Sequence, residues 1–364
     1  MSMSTAPHHA SKLSRHRSAF LDAEGSPLRV QILSGRGCGL VASSCIPESA
    51  CLFAEAPAVM VQTRENRSQT VACVRCLVPL AASGEAAESA QSPLLCSCGA
   101  SYCSARCLAE ADAAGHSMLC KGRVLGGRQR HLLSLEQLLG ELPNVGEAFE
   151  VAVKLLVSAL STRQADADGG SDMPDLLWGL AGAPWWETLR LENGQVAEAR
   201  HITQQILDHL RYALADDIHS LPDFLAHLSA QEFALLVGQV RMNVVEALVH
   251  AEASRDEFES LAPTVGIALY LTASAVNHAC EPNCALQTGL DLGMEGRGWA
   301  VLQALRPLEE GEEATIAYVP FGPDTKSQLQ EQWLFDCQCG ACADLSSAGS
   351  VSNGLREAMN CYGF

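Results

Sequence analysis

The chain has 364 residues, 24 Lys plus Arg against 42 Asp plus Glu, a formal net charge of −18 and 48% apolar residues. That length is enough for two to three domains with a substantial core. So acidic a balance excludes a nucleic-acid coat, which needs a basic surface, and no run of about 18 apolar residues free of charge suggests a membrane span.

Residues 1–24 are rich in Ser and His and carry Lys12, Arg15 and Arg17 with no acid before Asp22. They read as a flexible leader, with an organelle transit peptide as the alternative. Residues 1–21 lack the compact apolar core and cleavage site of a secretory signal. Between 28 and 62, LRVQIL, GLVAS and ACLFAEAPAVMV predict short strands separated by Gly and Pro turns. Cysteines crowd residues 73–120, interrupted by AASGEAAESAQS, a loop or fraying helix.

From 125 to 262 the pattern becomes helical. HLLSLEQLLGEL, AFEVAVKLLVSAL, HITQQILDHLRYAL and AQEFALLVGQVRMNVVEALVHAEA repeat apolar residues at i, i+3, i+4 and i+7, with DADGGSDMPD as a turn-rich break. Trp185 and Trp186 read as core. This block holds 21 acids and 9 bases, a net of −12, so two-thirds of the charge lies here. That is either a solvated helical surface or an attraction for a basic partner. Residues 263–320 return to strands, with GWAVLQAL and EATIAYV around a turn at PLEEGEE, followed by a short helix and a last cysteine cluster. The order of blocks suggests one β domain interrupted by insertions.

The 16 cysteines stand in a long chain without a secretory pattern, so short spacings point to metal ligands rather than disulfides. Cys73-x2-Cys76, Cys96-x-Cys98, Cys103-x3-Cys107 and His116-x3-Cys120 give eight donors, enough for two tetrahedral zinc sites. Pairs two to four residues apart let one turn of chain supply two ligands, and the metal replaces a core that so short a segment cannot build. Cys337, Cys339 and Cys342 are one donor short of a third site, and Cys280 can complete it. Cys38, Cys45, Cys51, Cys284 and Cys361 remain as ordinary thiols.

The order of the first eight donors resembles the MYND zinc finger, and ASYCSARCLAEADAAGHSMLC looks like its end. The resemblance implies interleaved sites, one on Cys73, Cys76, Cys103 and Cys107, the other on Cys96, Cys98, His116 and Cys120. The chain departs from the pattern in its C-x-C pair and in lacking a tryptophan before the histidine. Such a finger either binds a partner protein or serves as a structural staple.

Four further pieces lie far apart: Gly35-Arg36-Gly37-Cys38-Gly39-Leu40, Asn277-His278-Ala279-Cys280-Glu281-Pro282-Asn283-Cys284, Gly311-Glu312-Glu313 followed by Tyr318, and Phe335-Asp336-Cys337-Gln338-Cys339-Gly340-Ala341-Cys342. Together they resemble the SET domain of protein-lysine methyltransferases, including its NHSCxPN, GEExxxxY and post-SET zinc motifs. A SET domain interrupted by a MYND finger and a helical insertion resembles the SMYD family. With 22 residues after Cys342, the chain looks most like its divergent fifth paralogue, which lacks the C-terminal helical repeat domain.

The resemblance implies an α+β fold: a SET-type all-β catalytic core with MYND and helical insertions and a post-SET zinc site. The expected segments are the SET N-terminal part at 25–72, the MYND finger at 73–120, the helical insertion at 121–262, the SET C-terminal part at 263–322, the post-SET segment at 323–345 and a tail at 346–364. It implies S-adenosylmethionine as cofactor, bound by Arg36, Gly37, Cys38, Ser274, Asn277, His278 and Phe335, with Tyr318 as the catalytic tyrosine. Three zinc ions are implied, the third on Cys280, Cys337, Cys339 and Cys342, pinning the post-SET segment over the site. Trp333 and Phe335 would wall a lysine channel. Ala279 stands where serine is usual and Cys38 where Asn or a similar residue is common.

The implied activity is methylation of lysine in histones, ribosomal proteins or other basic proteins, by a cytoplasmic or nuclear enzyme, with a monomer expected and no membrane or direct nucleic-acid partner. The alternative is a non-catalytic scaffold that recruits partners through its finger. A zinc hydrolase is disfavoured, because four-ligand sets leave no open position for water.

Overall fold

The computed structural model describes residues 7–80, 93–165, 177, 179–215, 221–250, 262–290, 296–337, 339 and 341–342. The low-complexity stretch at 81–92, the break at 166–175, Cys361 and the tail at 346–364 lie outside the described residues.

The chain enters through a helix rather than a flexible leader. Helix α1 spans Pro7–Ala23. Leu13, Arg17 and Leu21, at i, i+4 and i+8, share one face and are all buried. Leu13 packs into the helical core and Leu21 into the β core, so α1 is anchored in both. The polar composition of 1–24 concealed this stripe, because its central member is an arginine.

Strands β1 (Leu28–Leu33) and β2 (Gly37–Ala42) form an antiparallel hairpin with Leu33 opposite Gly37. Its turn needs left-handed backbone at Gly35 (φ +73°) and Gly37 (φ +75°), which explains the glycines of GRGCGL. Strand β3 (Cys51–Glu55) is the edge of a sheet whose order is β10 (Cys284–Gln287), β11 (Ala300–Ala304), β3. Strand β4 (Val59–Gln62) pairs with β8 (Thr264–Leu269), which also pairs with β7 (Val244–Val249), all antiparallel. Two short strands, β9 (Asn277–His278) and β12 (Thr315–Ile316), run parallel, with Thr315 beside Asn277 and Ile316 beside His278.

Strands β5 (Leu94–Leu95) and β6 (Ser101–Tyr102) pair within the cysteine-rich segment. Helix α2 (Arg64–Arg67) follows β4, and α3 (Ala105–Ala113) and α4 (His116–Leu119) complete the segment. The insertion contributes α5 (Gly126–Gly140), α6 (Gly146–Ala165), α7 (Trp185–Thr188), α8 (Asn193–Leu214), α9 (Asp223–Ala226) and α10 (Ala230–Asn243). Helix α5 lies along α8, and α10 packs on α6, α7 and α8. Trp185 and Trp186 are buried among them, and the Trp185 indole donates to Thr203 Oγ1 at 3.0 Å. A capping box between Ser229 and Glu232 starts α10.

The helical insertion ends earlier than its periodicity suggests. Residues 244–249, predicted as helix, form β7. Two adjacent β-branched residues, Val244 and Val245, suit a strand, and β8 offers a free edge. Helix α11 (Thr325–Gln332) leads to the last cysteines. Among the described residues no helix is long and apolar enough to cross a membrane.

Candidate functional site

Three sets of donors come together, grouped as the resemblance implies. Cys73, Cys76, Cys103 and Cys107 form one set, Cys96, Cys98, His116 and Cys120 a second, and Cys280, Cys337, Cys339 and Cys342 a third, with the ligand atoms of each set within 4.8 Å of one another. Sulfur–sulfur distances of 3.6 Å (Cys76–Cys103), 3.5 Å (Cys103–Cys107), 3.4 Å (Cys96–Cys120) and 3.3 Å (Cys280–Cys342) are far longer than a disulfide's ~2.05 Å. They approach the edge of about 3.8 Å of a tetrahedron with zinc–sulfur bonds of about 2.3 Å. The sets therefore fit three zinc ions.

Local structure explains the placement. Ser104 caps α3 and accepts a hydrogen bond from the Cys107 amide at 3.2 Å, fixing that ligand one turn after Cys103. His116 begins α4 and Cys120 follows it by one helical turn, while the His116 Nε2 lies 3.4 Å from Cys96 Sγ and 3.7 Å from Cys98 Sγ.

The second constellation assembles where β2, β9 and β12 meet. Asn277 Nδ2 donates to the Cys38 carbonyl (3.2 Å) and to Glu313 Oε1 (2.8 Å). Arg36 reaches across from the hairpin turn, donating to the His278 carbonyl at 2.8 Å and pairing with Glu313 at 3.3 Å. Gly39 is needed here because a Cβ would sit 2.5 Å from Leu33 Cδ1 and 3.0 Å from Asn277 Nδ2. The His278 Nδ1 accepts the Tyr318 amide at 3.0 Å, so its proton is on Nε2, 3.4 Å from Cys280 Sγ. Burial, helped by Arg36, lowers the His278 pKa to about 4, and the imidazole is neutral near pH 7.

Tyr318 stands at the centre. Its hydroxyl donates to the Val276 carbonyl at 2.8 Å, and its ring lies 5.4 Å from His278, 5.2 Å from Trp333 and 6.4 Å from Phe335, centroid to centroid. The Trp333 indole is held by the Met242 carbonyl at 3.0 Å, tying this wall to the end of α10. Burial pushes the Tyr318 pKa up to about 12, so the phenol stays protonated. The third cysteine set packs against the same wall, together with Val319 and Leu329.

A family profile described as "SET domain" matches residues 37–319 of this chain. The chain belongs to the SET-domain family. Human histone-lysine N-methyltransferase SMYD3 is 37% identical over 82 residues, 21% of this chain and 17% of that protein. A SET and MYND domain-containing protein of Dictyostelium discoideum is 37% identical over 83 residues, 22% of each chain. Histone-lysine N-methyltransferase ASHR1 of Arabidopsis thaliana is 29% identical over 100 residues, 26% of this chain and 19% of that protein. The chain thus matches about a fifth of the length of these relatives. Rubisco LSMT bound to AdoMet aligns over 90% of this chain and 57% of its own at 12% identity, with a TM-score of 0.42.

The structure brings Arg36, Gly37, Cys38, Ser274, Asn277, His278, Tyr318 and Phe335 to one region, and the twelve metal-ligand candidates to three. Three residues of the region escaped the reading of the sequence. Asn283, 3% exposed, cross-links two motifs: its Nδ2 donates to Glu312 Oε1 (3.0 Å) and the Glu313 carbonyl (2.8 Å), and its Oδ1 accepts the Thr315 amide (2.8 Å) and hydroxyl (3.2 Å). Glu55, at the end of β3, accepts the amides of Thr272 and Ala273, both at 2.8 Å, and burial raises its pKa. Arg17, on α1, donates to the Leu271 carbonyl (2.7 Å), Cys38 Sγ (3.2 Å) and Ser274 Oγ (2.9 Å). Asn283 had a signal in its motif; Glu55 and Arg17 had none, since both partners of Glu55 and two of the three partners of Arg17 lie more than 200 residues away.

Proposed function

We propose that this SET-domain chain is an S-adenosylmethionine-dependent protein-lysine N-methyltransferase. The observation that carries the reading is Tyr318, buried between Trp333, Phe335 and His278, with its hydroxyl tethered beside the Asn277–His278 strand. Arg36, Gly37, Cys38, Ser274, Asn277, His278 and Phe335 are the residues proposed to hold the cofactor. Two features fit that group: an aromatic wall suited to a sulfonium or ammonium cation, and a buried cation close to Cys38 and Ser274. When bound, S-adenosylmethionine supplies an electrophilic methyl group for transfer to lysine Nζ, the electrons of the broken C–S bond remaining on sulfur.

The residues of the chain handle the rest. A lysine amine, with an ordinary pKa of about 10.4, is unreactive while protonated. The rings of Tyr318, Trp333 and Phe335 offer a poorly solvating channel that favours the neutral amine. The neutral Tyr318 phenol orients the reacting groups, so catalysis rests on alignment and exclusion of water. The His278 imidazole positions Tyr318 through the Tyr318 amide. Cys280, Cys337, Cys339 and Cys342 would hold a zinc ion that keeps Phe335 and Trp333 against the site.

Basic proteins are the proposed substrates, favoured by the net charge of −12 on the insertion and by the names of the histone-lysine methyltransferases it resembles. Incubation with labelled S-adenosylmethionine and a panel of basic proteins, read by mass spectrometry, tests the activity. Labelled methyl on lysine is expected; a chain that neither binds the cofactor by calorimetry nor labels any protein is instead a scaffold. Raising the salt concentration should raise the substrate KM; an unchanged KM would mean that the insertion does not steer substrate.

A further inference from the structure

Arg17 is 4% exposed, yet among the described residues no carboxylate lies within 4.0 Å of its guanidinium. Its hydrogen-bond partners are the Leu271 carbonyl, the Cys38 sulfur and the Ser274 hydroxyl. Glu55 faces Arg17 electrostatically at longer range, but its two oxygens are engaged by backbone amides and it makes no ion-pair contact with the guanidinium. An arginine side chain has five N–H donors. Three are used here, through Nε, Nη1 and Nη2, which leaves one donor on each terminal nitrogen. Two N–H donors are what a carboxylate accepts in a bidentate contact. A charge buried in this way is costly unless an anion offsets it. Leu13 and Leu21, one turn to either side, are buried at 0% and 1%, so α1 holds the guanidinium in a fixed place.

Two of the three partners of Arg17, Cys38 and Ser274, belong to the proposed cofactor set, and Asn277 is joined to Cys38 through its carbonyl. The aromatic residues Tyr318, Trp333 and Phe335 form the neighbouring wall of the same region. S-adenosylmethionine has one anionic group, the carboxylate of its amino-acid end. We infer that Arg17, from the N-terminal helix, is a binding residue for that carboxylate. The inference rests on the methyltransferase reading and adds α1 to the site. A lysine-methylating SET domain would then need a helix that precedes the residues matched by its family profile.

Calorimetry on the full chain with S-adenosylhomocysteine and with 5′-methylthioadenosine, which lacks the amino-acid end, tests it. Arg17→Met should weaken S-adenosylhomocysteine about tenfold to hundredfold and leave 5′-methylthioadenosine within about twofold. Arg17→Lys should recover part of the loss. Unchanged affinity for S-adenosylhomocysteine in Arg17→Met, or an equal loss for both ligands with zinc content and melting temperature retained, overturns the inference. Should Arg17→Met fold poorly, the wild-type chain decides: the carboxamide of S-adenosylhomocysteine should bind at least about tenfold more weakly than the acid, and equal binding refutes the role of Arg17. A wild-type chain that binds none of these ligands overturns the methyltransferase reading itself.

Discussion

Replacing Asn283 should loosen the junction that places Tyr318 over His278. Among the described residues, Asn283 is the one side chain that bonds β12, through Thr315, and the Glu312–Glu313 turn at once. In Asn283→Ala the buried Thr315 amide and the Glu313 carbonyl lose their partners. Each orphaned buried group costs ~1–3 kcal/mol; allowing for partial relaxation, opening of the β9–β12 pair should become easier by ~2–3 kcal/mol. That corresponds to amide exchange faster by about 30- to 150-fold. Hydrogen–deuterium exchange of peptides covering 275–284 and 311–318 reads this locally, without requiring the whole chain to unfold in two states. Asn283→Asp keeps the acceptor for Thr315 but sets a second carboxylate oxygen against Glu312 and the Glu313 carbonyl. Its pKa should rise above the ordinary ~3.9 of Asp. A raised acid pKa means that stability is lost as pH rises through the folded value and regained as pH falls. The Asp variant should therefore recover protection between pH 8 and pH 5, and the Ala variant should not. Exchange within twofold of wild type in Asn283→Ala would show that this cross-link is not what holds the two motifs together.

The other expectations concern the chemistry. Tyr318→Phe should lower the methylation rate by about 100-fold or more while costing ~1 kcal/mol of stability, the worth of one hydrogen bond to Val276; wild-type turnover in this variant would remove Tyr318 from the catalytic role. The purified chain should hold three zinc ions by elemental analysis, one for each set. Cys280→Ser should lose one of them together with most activity, and a variant that keeps activity without that zinc would make the third site dispensable. Because burial moves Tyr318 up to about 12, the alkaline absorbance difference between wild type and Tyr318→Phe should show no phenolate step below pH ~11. A step near pH 10 would mean that this phenol is solvated and that the described wall is open.

The sequence by itself determined the features whose chemistry is local or whose motif is contiguous. Ligand pairs two to four residues apart declare themselves without a fold; how the first eight interleave came from the resemblance to a known finger, and Cys280 had to be joined to a distant cluster. The hairpin glycines and the Asn277–His278 and Gly311–Glu313 pieces were legible because their residue types are restricted by a turn, a close approach or a specific contact. The tertiary structure alone decided where the chain's long-range partners lie. Nothing local marks Arg17 as more than another cation in a polar N-terminal stretch; its burial depends on Leu271 and Ser274, over 250 residues away. The switch from helix to strand at Val244 likewise depended on β8, whose edge outweighed a continuing helical period. Backbone and side-chain groups that are satisfied across such distances leave no periodic trace, which is why the metal sets could be read in advance and the full lining of the central site could not.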